Sequence, residues 1–425
     1  LGKQPAVKSV HIIGGGIVGL NCALALVRRG YAVTLIERAE PGSGTSRGNA
    51  AGIAWTDVMP LASPGIWKSL PGWLMDPLGP LAIRPAYLPR LAGWMLRFIW
   101  ASRPSQVERT IKAIAALNGA ALPAWENVWE EAGLLRRVKR DGCLDVFEDT
   151  RVMAAQQEEY DLQRRHGIQI EMLDGEGVRD MEPELAPHVA GGAFLPGWVQ
   201  VDDPHGVCLD LAAHLRERGV RFARVNIQRV ERRGKNWQGP VLVTDDGREL
   251  EAERVIIAAG AWSKPLAASL GDEVPLDTER GYNITVPHPG IAIRRFMMLY
   301  GHGFVLSPLA MGLRIGGAVE FGGLKAEPDW RRVDAMIGKA KRLLPGLDAS
   351  QGERWMGFRP SLPDSLPVIG PASEGSGKLF YAFGHAHHGL TQSAITGEMI
   401  ADMLEGRAPT VDPAPYRAQR FAFSN

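Results

Sequence analysis

The most constraining feature of the chain is a run of small residues, Gly14-Gly15-Gly16-Ile17-Val18-Gly19, which satisfies G-x-G-x-x-G. The apolar stretch Val10-His11-Ile12-Ile13 before it reads as a buried strand. After it, Val18, Ala25 and Leu26 recur at helical spacing among small residues up to Arg29, and Gly30 stops the helix. Arg28 and Arg29 suit the negative end of that helix. Ala32 to Ile36 forms a second strand, ending at Glu37, so the chain opens as a βαβ unit. Within it Gly14 permits the tight turn, Gly16 lets backbone approach a pyrophosphate, and Gly19 allows close helix–strand packing. The pyrophosphate would rest on amides at the helix N-terminus. Glu37 follows Gly14 by 23 residues, where its carboxylate meets ribose hydroxyls. These elements predict dinucleotide binding, without separating FAD from NAD(P).

At roughly 150 residues per domain, 425 residues predict two or three domains. A balance of 48 basic against 47 acidic residues leaves no electrostatic footprint for nucleic acid. No apolar run reaches the roughly 18 residues of a membrane span. Lys3, Lys8 and the apolar stretch from Val10 imitate a secretory signal, but the glycines break it and no small-residue cleavage site follows. Cys22, Cys143 and Cys208 form neither a disulfide framework nor a CxxC pair, which fits a reducing, cytoplasmic setting.

Residues 42–52 are rich in Gly, Ser and Asn, and residues 55–104 carry Trp55, Trp67, Trp73, Trp94 and Trp100. Tyr87 to Trp100 has helical apolar spacing interleaved with Arg90 and Arg97. It reads either as a packed helix or as an amphipathic segment lying on a membrane. Helices are expected over 107–140, 150–166, 208–218 and 390–404, and alternating strands over 220–258 and 281–323.

Three later segments narrow the cofactor. Gly44-Thr45-Ser46-Arg47-Gly48-Asn49-Ala50-Ala51-Gly52 follows the βαβ unit, Ala258-Ala259-Gly260-Ala261-Trp262 ends a strand, and Arg359-Pro360 with Pro363-Asp364 precedes Gly384-His385-Ala386-His387-His388-Gly389-Leu390-Thr391. In this order, over Val10 to about Tyr416, the chain resembles the FAD-dependent oxidoreductases of the D-amino-acid oxidase superfamily, and within it the bacterial D-amino-acid dehydrogenases. The resemblance implies an α/β protein: a Rossmann-like FAD-binding domain built from discontinuous segments (1–58, 150–182, 200–275 and 356–425), plus a substrate domain with an antiparallel sheet and helices (59–149, 183–199 and 276–355).

It further implies that Gly14, Gly16, Ile17, Val18, Glu37 and Arg38 face ADP, and that Thr45, Ser46, Asn49, Ala50, Ala51 and Gly52 line pyrophosphate and flavin. Ile227 would reach the adenine, Ala259 and Trp262 the ribityl region, and Gly384, Gly389, Leu390 and Thr391 the flavin's pyrimidine edge. There the start of the last helix would stabilise negative charge on reduced flavin. No cysteine stands where some relatives attach flavin, and Arg47 stands near where others carry a linking His, so FAD is expected to be non-covalent. Arg359 matches the arginine that holds the substrate carboxylate, a task suited to a planar, permanently charged fork. Tyr282, Tyr300 and His302 would add hydrogen bonds or pack as aromatic residues, and His387 or His388 would influence amine protonation. Adjacent loop histidines rarely converge on one ion, so no metal is expected.

The implied reaction is oxidative deamination of a D-amino acid to a 2-oxo acid and ammonia, in amino-acid catabolism. Electrons would pass to a non-oxygen acceptor such as quinone, with peripheral membrane association at the inner face as an accompanying option. Oxidation of a cyclic or secondary amino acid such as D-proline, hydroxy-D-proline or a sarcosine-like amine is the alternative, as is an oxidase using O₂. A flavin module acting on tRNA fits the near-zero charge poorly.

Overall fold

The computed structural model describes residues 8–64, 78–79, 81–232, 239–374 and 377–422; Trp67 and Trp73 lie outside them. The opening forms as its glycines dictate: β1 (Ser9–Ile13), α1 (Ile17–Arg28) and β2 (Ala32–Glu37). Gly30 ends α1 with φ +77°, a conformation that suits a residue without Cβ. A Cβ on Gly19 would stand 1.9 Å from the Gly14 carbonyl oxygen, so α1 lies on β1 only because that Cβ is missing.

β1 sits inside a six-stranded sheet ordered Arg221–Arg224, β2, β1, Val255–Ile257, Leu379–Phe383, Val368–Pro371. The first five strands are parallel and the last is antiparallel. Both faces of such a sheet are covered, and its strands accordingly read as apolar runs. The last helix, Gly389–Leu404, lies against α1 so tightly that a Cβ on Gly397 would come within 2.6 Å of the Asn21 carbonyl oxygen. Ile12, Leu20 and Leu24 are buried in the core beneath them, each contributing about 1.5–3 kcal/mol.

The second layer is a nine-stranded sheet. Its path runs Glu353–Ser361, Asp277–Val286, Gly312–Phe321, Phe304–Leu309, Phe296–Leu299, Cys143–Phe147, Gly191–Leu195, Glu171–Asp174, and Leu81–Ile83 pairs beside Gly312–Phe321. The antiparallel strands expected over 281–323 are its centre.

Three placements differ from the sequence reading. Residues 150–182, assigned above to the nucleotide domain, supply the strand Glu171–Asp174 at the edge of the large sheet, and the helix Thr150–Arg165 packs on that same sheet. Residues 104–131, assigned to the substrate domain, form helices Pro104–Gly119 and Ala121–Glu131 that pack on the last helix, burying Trp125 and Trp129 in the nucleotide-side core. The helical pattern expected to reach 140 stops earlier, because Val138–Lys139 pairs with Val199–Val201. Helical periodicity in these stretches is clear, but which core a helix joins is not encoded in its period.

Candidate active site

The carboxyl ends of β1, β2 and Val255–Ile257 face the large sheet across a cavity of about 1080 Å³. This is where ligands bind in open α/β sheets. Its nucleotide end is built from the glycine turn. Gly14, at φ +113°, lies under the Ala258 carbonyl, where a Cβ would stand 2.3 Å away. Gly16 differs: a Cβ there would meet only Ser46 Oγ, at 3.3 Å, so the missing side chain opens space toward the cavity rather than toward protein. Ser46 Oγ accepts from the Ile17 N–H at 3.1 Å, and no side chain caps α1 at Gly16. The Glu37 carboxylate is held by the Gly15 N–H at 2.7 Å and the Ala39 N–H at 3.1 Å. The Arg38 guanidinium lies 3.8 Å from the centroid of the Trp262 ring.

Of the expected cofactor residues, Gly14, Gly16, Ile17, Val18, Glu37, Arg38, Thr45, Ser46, Asn49, Ala50, Gly52, Ile227, Ala259, Trp262, Gly384, Gly389 and Leu390 all line the cavity. Two do not. Ala51 is buried with φ +72°, its N–H donating to Asn49 Oδ1 at 2.7 Å, so it shapes the turn instead. Thr391 is buried, its hydroxyl accepting from the Ala54 N–H at 2.9 Å. The last helix has no acidic residue in its first turn and no side-chain cap, and its first residues Gly389 and Leu390 face the cavity, leaving a positive terminus for anionic charge.

At the other end stands Arg359. Its guanidinium lies flat over Gly281, where a Cβ would be 2.5 Å from Cζ. Its nearest acceptor is the Gly317 carbonyl oxygen, 3.5 Å from both Nη atoms, and no carboxylate among the described residues pairs with it. Burial pushes its pKa down, and Glu279 on the neighbouring strand opposes that shift. The Glu279 carboxylate is buried, receives the Ser361 hydroxyl, and faces His387 Nε2 at 2.7 Å. Burial resists its ionisation, but His387, Ser361 and Arg359 together outweigh burial and lower its pKa. His387 lines the cavity.

Of the other side chains expected at the substrate end, those of Tyr282, His302 and His388 are engaged elsewhere. Tyr282 borders the cavity but is 1% exposed; its hydroxyl donates to Glu320 Oε2 at 2.7 Å and accepts from the Asp329 N–H at 3.1 Å, so that hydroxyl is already engaged within the protein. In a strand, neighbours point to opposite faces, and Glu279, Gly281 and Asn283 take the inner one. His302 does not line the cavity and pairs with Glu148. His388 is also outside the wall, 3.4 Å from Asp57. Tyr300 does line it, with its ring stacked on Phe147 and its pKa raised by burial and by the carboxylates of Asp145, Glu159 and Asp57, among others. No group of three or more metal-ligating side chains gathers among the described residues. Gly281, Glu279 and Asn283 escaped the sequence reading, although the parity of the strand around Tyr282 carried the signal.

The cavity is long enough to run from the glycine turn to the uncapped last helix, with a carboxylate, an open glycine and two helix N-termini along it, so its residues fit a flavin dinucleotide. Residues 9–403 match the family described as FAD dependent oxidoreductase (DAO). The chain belongs to this family. It is an FAD-dependent oxidoreductase. It is 36% identical to a D-amino-acid oxidase of Bradyrhizobium diazoefficiens, over 98% of this chain and 100% of that protein. It is 30% identical to a D-amino acid dehydrogenase of the same organism, over 97% and 99%. Among solved structures it shares the fold of glycine oxidase from Geobacillus kaustophilus, at TM-score 0.71 and 23% identity over 97% and 99% of the two chains. The L-proline dehydrogenase from P. horikoshii superposes at TM-score 0.73 with 20% identity over 98% of each chain.

Proposed function

We propose that this flavoprotein oxidises a D-amino acid to its imino acid, which water hydrolyses to a 2-oxo acid and ammonia. The observation that carries the reading is the Arg359 guanidinium, at the cavity wall with the distant Gly317 carbonyl as its one acceptor among the described residues. A planar fork with weakly engaged donors at a cavity wall suits a carboxylate bound through two parallel hydrogen bonds. The names of the relatives at 30% identity and above support the D-configuration and the amino-acid class. Bound FAD supplies the two-electron acceptor for the hydride from Cα.

The chain's own part is to position the substrate and cofactor. Arg359 fixes the carboxylate and so the direction in which Cα–H points. His387, oriented by Glu279, stands on the same wall as the group best placed to exchange a proton with the substrate amine. Thr45 and Ser46 hold the turn that carries the cofactor, through Phe358 O and the Ile17 N–H. FAD is proposed to be non-covalent, because all three cysteines are buried and none lines the cavity.

Anaerobic mixing of the yellow protein with D- and L-amino acids, D-proline included, tests the reading. Bleaching by D-isomers alone supports it, and bleaching only by L-isomers or by non-carboxylate amines refutes it. The proposed electron acceptor is a quinone or electron-transfer partner, and stoichiometric O₂ consumption at full turnover rate would refute that part.

No helix among the described residues is long and apolar enough to cross a membrane. Peripheral association is proposed for the helix Leu88–Ala101, whose outer face exposes Leu88, Leu96 and Trp100. The sequence carries no acidic residue between Asp76 and Glu108 but includes Arg90, Arg97 and Arg103. Absence of sedimentation with anionic liposomes at low salt would refute this.

A further inference from the structure

The segment 47–51, whose Gly48, Asn49 and Ala50 line the cavity between the glycine turn and the substrate end, is suspended from the large sheet by its carbonyls. Asn283 Nδ2 donates to Gly48 O at 2.9 Å and Ser307 Oγ to Ala50 O at 2.7 Å. Arg314 Nη1 donates to Asn49 O at 2.6 Å and to Arg47 O at 3.1 Å, while its Nε donates to Thr285 Oγ1 at 3.0 Å. Arg314 is 7% exposed, and no carboxylate among the described residues lies within ion-pairing distance of it. A buried cation without a counter-ion is expensive, and simple anchoring of a loop would not require one. Burial pushes its pKa down to about 10, with Asp203 and Glu353 favouring the charge from a distance and Arg47 opposing it, so the guanidinium stays charged near neutral pH.

The peptide geometry gives that charge a direction. In a trans peptide the C=O and the following N–H point opposite ways. With Asn49 O drawn toward Arg314, the Ala50 N–H is turned away from the sheet, and no protein acceptor takes it among the described residues. Asn49 and Ala50 both line the cavity. A cation on the carbonyl polarises the whole peptide and strengthens its N–H as a donor. We infer that Arg314 sets the reduction potential of the bound flavin, by aiming and polarising the Asn49–Ala50 peptide toward the additional negative charge of the two-electron-reduced form. Arg314 is thus a positioning residue with an electrostatic role, outside the cavity wall. This inference rests on FAD binding and not on the identity of the substrate.

The test is the midpoint potential of the purified holoprotein, measured by equilibration with reference dyes and without substrate. Arg314→Gln is expected to shift the equilibrium between oxidised and two-electron-reduced flavin at least tenfold toward oxidised, or about 30 mV lower. Arg314→Lys, which keeps the charge but contacts fewer carbonyls, is expected to shift it two- to fourfold in the same direction. Ser307→Ala releases the neighbouring carbonyl without touching the charge and should leave the potential at the wild-type value. A flavin-loaded Arg314→Gln protein with the wild-type potential overturns the inference. So does a Ser307→Ala shift as large as that of Arg314→Gln, because loop geometry alone would then explain both. Should Arg314→Gln not retain FAD, Arg314→Lys decides, and a wild-type potential in that variant refutes the proposal. Failure of every amino acid to reduce the flavin would remove the substrate reading and leave these potentials unaffected.

Discussion

Gly281→Ala is the most discriminating substitution, because it moves the Arg359 guanidinium without removing any of its atoms. Gly281 is buried, and its φ lies outside the positive region, so alanine meets no backbone strain there. The added Cβ would stand 2.5 Å from Arg359 Cζ, 2.7 Å from Nη2 and 2.8 Å from Nη1. Ordinary van der Waals contact begins near 3.4 Å, so Cζ must retreat by 3.4 minus 2.5, about 0.9 Å. The retreat is cheap in stability, since a long side chain can swing into an open cavity. It is costly in function, because displacement by about 1 Å of a group that aligns substrate can cost on the order of a hundredfold. Anaerobic stopped-flow reduction of the flavin by saturating and sub-saturating substrate should therefore give a kred/Kd about 10- to 100-fold below wild type. The oxidised flavin spectrum and Tm should be close to unchanged. Reduction by an amine lacking a carboxylate should not suffer this loss. A Gly281→Ala protein that binds and oxidises amino acids like wild type would refute the assignment of Arg359 as the carboxylate clamp.

Three other outcomes follow from the same geometry. Gly14→Ala puts a Cβ 2.3 Å from Ala258 O at φ +113° and is expected to prevent accumulation of folded protein, whereas Gly16→Ala should fold, with Tm near that of the wild-type apoprotein, and bind FAD at least tenfold more weakly by fluorescence titration. Tyr282→Phe removes a buried hydroxyl bonded to Glu320 and should cost about 1–3 kcal/mol in denaturant unfolding while leaving substrate Kd unchanged; a raised Kd with unchanged stability would return the hydroxyl to the cavity. His385 is 3% exposed, with Nε2 3.0 Å from Thr396 Oγ1, and burial, aided by the charge of His388, pushes its pKa down to about 3. Between about pH 6.5 and about pH 3 the unfolded imidazole takes up a proton that the folded one refuses, so stability falls as pH is lowered through that window. His385→Gln should flatten this dependence by up to about 1 kcal/mol per pH unit, and parallel Tm curves for the two proteins between pH 7 and 5 would contradict it.

The nucleotide half of the site was legible because its constraints are local. Gly14, Gly16 and Gly19 are separated by a few residues, and the strand, turn and helix that need them are contiguous, so spacing alone carries the geometry. Glu37 is legible for the same reason: β2 must end beside the turn once α1 has crossed back. The segment 44–52 and the start of the last helix were recognisable as motifs, and all but Arg47, Ala51 and Thr391 line the cavity; Ala51 shapes the turn and Thr391 receives Ala54.

Only tertiary structure decided the substrate half. Arg359 stands out in the chain, but what leaves its donors to the cavity is Gly281 on the adjacent strand and the lack, among the described residues, of a carboxylate paired with it, neither of which spacing reveals. Tyr282 drew notice as a side chain with a hydroxyl, yet strand parity gives the inner face to Glu279, Gly281 and Asn283 and turns Tyr282 to Glu320. The choice between His387 and His388 depends on one backbone step at the entry of a helix, which sends the first to Glu279 and the second to Asp57. Helical period likewise predicted Pro104–Gly119 and Thr150–Arg165 without saying which core each would join. Local sequence determines backbone shape through sterics and periodicity, whereas the partner that satisfies a charge is set by which distant strands come together.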